Sequence, residues 1–251
     1  MKKLIRFEFR KLFKSKYFYI LTAISILFVL ISGLTTKAIN DVITSSGNEV
    51  APYSAYLFAK GALSGTHTLL IGIFVALFAT EDSTCGTIKN IYAKGYSRNQ
   101  VYLSKYVVSF VAVTIISILT VVAAYLYANT IWDNSLEITD HIAVIMIGQL
   151  LGIFAYHAIF FAISNSFGKI GAAIALNIIG PMAVSLVLGM CDAFIKSENT
   201  KLTSYWLDSL FGNFTATVTD EKFIATGIVL FVLYTVLAIA VGMFTNRRKE
   251  I

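Results

Sequence analysis

The chain has 251 residues, 57% of them hydrophobic and only 14% charged, with a formal net charge of +6. Soluble domains carry about a quarter charged residues, so this apolar excess excludes a single soluble core and points to a bilayer. The apolar runs lack the period-two alternation of a membrane β-barrel, and the chain has only two prolines, which fits long, mostly uninterrupted helices. The expectation is an all-α integral membrane protein.

The N-terminal stretch "KKLIRFEFRKLFKSK" places Ile5, Phe9, Leu12 and Phe13 on one arc of a helical wheel. Arg6, Arg10, Lys11 and Lys14 occupy another arc, and Phe7 breaks the pattern. Residues 1–16 are predicted as an amphipathic interfacial helix with its bases toward anionic headgroups. A plain basic flank that sets orientation is the second reading, and both can hold together. The basic start superficially resembles a signal peptide, but the following apolar run is too long for an h-region and no A-x-A-like cleavage site is evident. It reads as a retained first span.

Six segments reach the roughly 20 residues that cross ~30 Å of hydrocarbon. They are Tyr17–Thr36, Gly61–Thr80, Tyr106–Ala128, Ile142–Ser164, Ile170–Cys191 and Phe223–Thr245. They form one six-span transmembrane domain over 1–251, with both termini on the same side. That side carries 15 bases and four acids, a net of +11, whereas the other carries five bases and ten acids, a net of −5. The basic balance therefore follows the positive-inside rule rather than nucleic-acid binding, and both termini are expected in the cytoplasm. Cys85 and Cys191 fall on opposite sides, which disfavours an intrachain disulfide, and no C-x-x-C is present.

Three of the pieces outside the spans stand out. Besides 1–16, these are a cytoplasmic segment over 81–105 and an external segment over 192–222. In the latter, Tyr205, Trp206, Leu207, Leu210, Phe211 and Phe214 cluster at helical spacing, so it is expected to dip into the interface or re-enter the membrane, as a structural lid or a gate. The other internal link, "SNSFGK", is short. Of the two internal loops, only 81–105 is elaborate enough to dock something.

Catalytic and nucleotide motifs such as H-E-x-x-H, G-x-x-x-x-G-K-[ST] and G-x-S-x-G are absent from the sequence, and no cofactor or metal is expected in this chain. "GALSGTH" brings a serine and His67 near one membrane surface, but Gly61, Gly65, Thr68, Gly72 and Ala76 share a helix face, as small residues do at close helix contacts. Gln149, His157 and Asn177 are polar groups at membrane depth. They either line a translocation route or make interhelical hydrogen bonds. No acid or base sits mid-span, which argues against a built-in ion relay. An intramembrane enzyme using His67 or His157 and a non-transporting membrane anchor or sensor are the rival readings.

The run "FATEDSTCGTIKNIYAKGYSR", followed by "NQVYLSKYVVSF", resembles the membrane subunits of ABC-2 type (type V) ABC transporters. Their pattern of an acid ending the second span, G-T-[I/L]-K, a short apolar helix, a small-residue turn, S-R and a lysine falls on Glu81, Gly86, Thr87, Ile88, Lys89, Ser97, Arg98 and Lys105. The opening "LIRFEFRKLFKSKYFYIL" also resembles that family's connecting helix. The resemblance implies a permease in a bacterial plasma membrane that pairs with a second copy or a related permease to give twelve spans. It further implies a separate P-loop ATPase that binds ATP and Mg, and a coupling helix after span two seated in a groove of that ATPase. Ile88, Ile91 and Tyr92 would form the apolar contact ridge, flanked by Lys89, Lys94 and Arg98. An interfacial helix lying on lipid is the alternative. Glu81 is expected to pair with Arg98 or Lys105, or to be simply solvated. Short permeases of this family point by analogy to export of peptide antibiotics of the lantibiotic or bacitracin kind, including self-immunity.

Overall fold

Ser15 takes an extended conformation (φ −73°, ψ 124°) and so separates α1 (Lys2–Lys14) from α2 (Lys16–Ser45) without help from proline or glycine. The computed structural model describes residues 1–47, 55–63, 65–132, 142–195, 201–215 and 221–248. The further helices are α3 (Ala55–Gly61), α4 (Gly65–Thr84), α5 (Ile88–Ala93), α6 (Arg98–Ala128), α7 (Ile142–Phe167), α8 (Ile170–Ile195), α9 (Leu207–Thr215) and α10 (Glu221–Arg248). Among the described residues there is no strand. Of the charges that set the expected orientation, Glu49, Asp133, Glu137, Asp140, Lys196, Glu198, Asp220, Lys249 and Glu250 lie outside the described residues, as do parts of 192–222.

Six helical stretches are long and apolar enough to cross a membrane: Lys16–Ser45, Ala55–Thr84, Arg98–Ala128, Val144–Phe167, Ile170–Ile195 and Phe223–Asn246. The expected six spans are therefore present, with longer ends. Polar residues that an apolar window leaves out continue the helices, such as Arg98 to Lys105 at the start of α6. The second stretch begins earlier than the expected Gly61, because α3 precedes α4 within it.

Helix α7 sits at the centre. It packs against α4, α8, α9 and α10, and Ile153, Ala155, Ala158 and Phe161 are wholly buried. In lipid the hydrophobic effect does not draw helices together, so close packing must do so. The notches that allow it are glycines. Phe211 of α9 lies against Gly152, where a Cβ would come within 2.5 Å of the ring, and Phe214 occupies the space beside Gly148 and Gly227. The expected external aromatic cluster is thus a plug: Leu207, Leu210, Phe211 and Phe214 are buried in the bundle, whereas Tyr205 stays exposed. Asp192 sets up this arrangement. Its carboxylate accepts from the Leu202 N–H at 2.6 Å, the Thr203 N–H at 3.0 Å and the Thr203 hydroxyl at 2.6 Å, fixing the turn that precedes α9.

The small-residue face of α4 divides in two. Gly72 is in close contact, since a Cβ there would meet Phe160 at 3.3 Å and Asn177 at 3.4 Å, and Ala76 is wholly buried. Gly61 ends α3 instead of continuing the face expected on α4, and both it and Gly65 have open space where a Cβ would stand. Helix α8 is the least covered span, exposing Ile179, Met182, Leu186, Val187, Met190 and Phe194.

Candidate coupling site

Past Thr84 the chain turns twice. Gly86 (φ +70°) and Gly95 (φ +83°) adopt left-handed backbone that disfavours a side chain, and between them stands the six-residue helix α5. Ser97 then starts α6 with a reciprocal cap. Its hydroxyl accepts from the Gln100 N–H at 3.3 Å, and its own N–H donates to Gln100 Oε1 at 3.2 Å. Thr87 stands at the start of α5 but makes no cap there. Its hydroxyl donates back to Asp82 Oδ1 at 3.0 Å.

Asp82 is the centre of a charge cluster. Lys11 Nζ of α1 lies 2.7 Å from Asp82 Oδ1 and 3.0 Å from Glu81 Oε2, while Lys105 of α6 pairs with Asp82 Oδ2. Asp82 and Lys105 are 4% and 2% exposed. Glu8 of α1 is wholly buried beside them, and both its carboxyl oxygens lack a hydrogen-bond partner. Burial raises its pKa above the ordinary 4.5, with Lys105 and Lys11 opposing and Asp82 and Glu81 reinforcing. A neutral carboxylic acid avoids the desolvation cost of an unpaired carboxylate. For Lys11, burial would lower the pKa, but the Asp82 and Glu81 carboxylates outweigh it and raise it. The ammonium is held charged.

Three expectations are corrected here. Glu81 pairs with Lys11, not with Arg98 or Lys105, because α1 packs against α6 and carries Lys11 over the end of α4. The stripe that α1 buries is Leu4, Glu8 and Leu12, while Phe13 and Phe7 are exposed. The ridge expected from Ile88, Ile91 and Tyr92 is also turned. Ile91 is buried against Leu4 and Val101, with Tyr92 and Tyr96 packed around them. Ile88 and Tyr92 are half-buried, leaving Lys89, Asn90, Ala93 and Lys94 as the exposed face of α5. The physical reason is that α1 offers Leu4 as an apolar partner, so the apolar side of α5 closes inward. Gly86 and Thr87 are exposed. Arg98 is half-buried, and its carbonyl accepts from Asn246 Nδ2 at 3.0 Å, tying the start of α6 to the end of α10.

The polar residues at membrane depth mostly tie helices together. Gln149 Nε2 donates to the carbonyls of Lys60 at 3.1 Å and Phe214 at 2.9 Å, joining α3, α7 and α9. His157 Nε2 lies 2.7 Å from Ser109 Oγ, and His67 Nε2 lies 3.0 Å from Ser117 Oγ. Both histidines are buried, at 0% and 3% exposure, and their Nδ1 atoms meet no partner. Each pair ties two helices together, and neither ring has a second partner of the kind that orients a catalytic base. Asn177 Nδ2 donates to the Gly72 carbonyl at 2.9 Å and to Ser164 Oγ at 3.0 Å.

Sequence reasoning passed over Glu8, Lys11 and Asp82. A signal existed: Leu4, Glu8 and Leu12 follow a spacing of four, and Asp82 adjoins the acid that was singled out.

Fold and site define a polytopic α-helical membrane subunit whose N-terminal helix is locked onto a short helix between its second and third spans. The chain belongs to the ABC-2 transporter family: the model described as "ABC-2 family transporter protein" matches residues 4–192. The match takes in α1, α5 and the whole charge cluster, whereas α9 and α10 lie beyond it. The comparison with curated proteins returned no match.

Proposed function

We propose that this chain is the permease subunit of an ABC exporter, moved by a separate P-loop ATPase that binds ATP and Mg. A second copy or a related permease completes a twelve-span pathway in this reading. The basic end of the bundle, with both termini and α5, faces the cytoplasm of a bacterial cell, as the positive-inside rule requires. The cargo is an amphipathic molecule of the peptide-antibiotic kind, and the biological role is resistance or self-immunity.

The observation that carries this reading is the cluster of Lys11, Glu81, Asp82 and Lys105. It binds α1, the end of α4 and the start of α6 into one unit, so a push on α5 reaches three helices together rather than bending a loop. Such rigid-body movement is how a small displacement at one site becomes a change of packing elsewhere. The face of α5 left for contact is polar and basic, with Lys89, Asn90 and Lys94, and suits a groove with an acidic rim. The enzyme reading finds no such support, because no second group orients the rings of His67 and His157 as a catalytic base requires.

The test is purification from the native cell in several mild detergents. A P-loop ATPase should accompany the chain in stoichiometric amount, and its absence under every condition would count against the reading.

A further inference from the structure

A cavity of about 270 Å³ lies between α4, α7, α8 and α9. Its apolar walls include Phe160, Phe211 and Pro181, and it opens on the flank of the bundle between Leu69 and Met182, which are 41% and 65% exposed. Its unpaired polar atoms are an amide oxygen and a hydroxyl. Asn177 is 1% exposed and its Oδ1 has no hydrogen-bond partner. The amide cannot be turned to change this, because its Nδ2 donates to the Gly72 carbonyl, which only accepts. Thr68, one turn before Gly72, is 7% exposed and its hydroxyl also lacks a partner. Pro181 has no N–H to offer the Asn177 carbonyl four residues earlier.

Nearer the acidic end stands Asp208 on α9. Its Oδ1 accepts from the Tyr156 hydroxyl, and its Oδ2 accepts from Ser185 Oγ at 2.7 Å. Both donors hold the carboxylate in place at the cavity wall, and no lysine, arginine or histidine is among the described lining residues. Buried polar atoms left without partners are costly, and here an amide oxygen that only accepts and a hydroxyl that can accept share a cavity with a fixed carboxylate. The missing complement is a group rich in N–H and positively charged. The volume sits at the low end for ligand pockets, enough for one chain rather than a whole peptide or a two-chain lipid.

We propose that this cavity binds the primary ammonium end of a single-chain amphipath, with Asp208 as the charge partner and Thr68 and Asn177 Oδ1 as acceptors. A lysine side chain or amino terminus of a peptide cargo carries that chemistry, and so does the headgroup of an ethanolamine lipid. The site rests on the export reading only for the origin of its ligand.

The test uses the full chain in lipid nanodiscs and three photoreactive alkyl probes of equal length, ending in an amine, an alcohol and a carboxylate. The amine should label residues around the cavity about tenfold more than the alcohol, the range a charge-assisted hydrogen bond gives, and the carboxylate least of all. Asp208→Asn should remove the preference for the amine. Leu69→Trp, which narrows the mouth and leaves the polar groups intact, should reduce labelling by every probe. Equal labelling by the three probes, an amine preference that survives Asp208→Asn, or labelling that Leu69→Trp leaves unchanged overturns the proposal. Competition by an amphipathic amine-bearing peptide marks the ligand as cargo, and competition by phosphatidylethanolamine marks it as lipid. If no ATPase co-purifies but the preference holds, the export reading fails and the site stands. If the ATPase co-purifies and labelling is unselective, the site alone fails.

Discussion

Lys11 of the N-terminal helix donates to Asp82 at 2.7 Å, across 71 residues of chain. Asp82 also holds Lys105, so one carboxylate joins three elements that enter the basic end of the bundle separately. Removing one partner from a buried ion pair leaves the other charge uncompensated, which destabilises by about 3–5 kcal/mol. Asp82→Asn should therefore lower the thermal unfolding temperature markedly in detergent. The double variant Asp82→Leu with Lys105→Met, which removes both buried charges, should recover most of that loss. A double variant no better than the single one would show that the pairing is not what Asp82 contributes.

Glu8 sits against Lys105, Lys11, Asp82 and Glu81 with its pKa raised by burial. The folded state holds this proton more tightly than the unfolded chain does. Stability from this group is therefore greatest at low pH, falls as pH rises from about 4.5 through the folded value, and then levels off. Glu8→Gln should flatten that fall in a series of unfolding measurements against pH. Parallel curves for the two proteins would mean that Glu8 is ionised and paired.

How much of this was readable in advance depends on the range of the interaction. The six spans were legible because a run of about 20 apolar residues has few alternatives, and segment 81–105 stood out because its charge and glycine spacing break such runs. The buried side of α1 was not legible. A helical wheel sends charges to solvent, so it put Phe13 on the apolar arc and overlooked Glu8, whose setting is made by Asp82 and Lys105 from far along the chain. The burial of Ile91 was not legible for the same reason: its apolar character was plain, but Leu4, which covers it together with Val101, stands far off in the chain. Gly148 and Gly227 could not be read as notches until Phe214 was placed between them.

Phe214 supplies a test of the plug. Gly148→Val would put methyl groups where the ring now stands, so α9 should fail to seat. In a chain whose own cysteines are replaced by serine, Leu210→Cys is buried and should resist a water-soluble maleimide. Adding Gly148→Val should make it reactive. Protection that persists would place the α9 contacts elsewhere.

The serine–histidine contacts predict small effects. Interhelical hydrogen bonds in membranes average about 0.6 kcal/mol, so Ser109→Ala and Ser117→Ala should each shift stability by about that much and leave transport nearly intact. Loss of function on removing either hydroxyl would reopen the enzyme reading.

The central claim is that α5 is the point at which an ATPase moves this bundle. The most direct measurement is the amount of P-loop ATPase retained by the detergent-solubilised protein when Lys89 and Lys94 are both replaced by glutamate. Both side chains are exposed and neither belongs to the buried cluster, so insertion and unfolding temperature should not change. The account predicts that ATPase retention falls at least about tenfold, as a loss of roughly 1.4 kcal/mol requires. Retention equal to that of the unaltered protein, with insertion intact, would contradict it and assign α5 to the lipid surface.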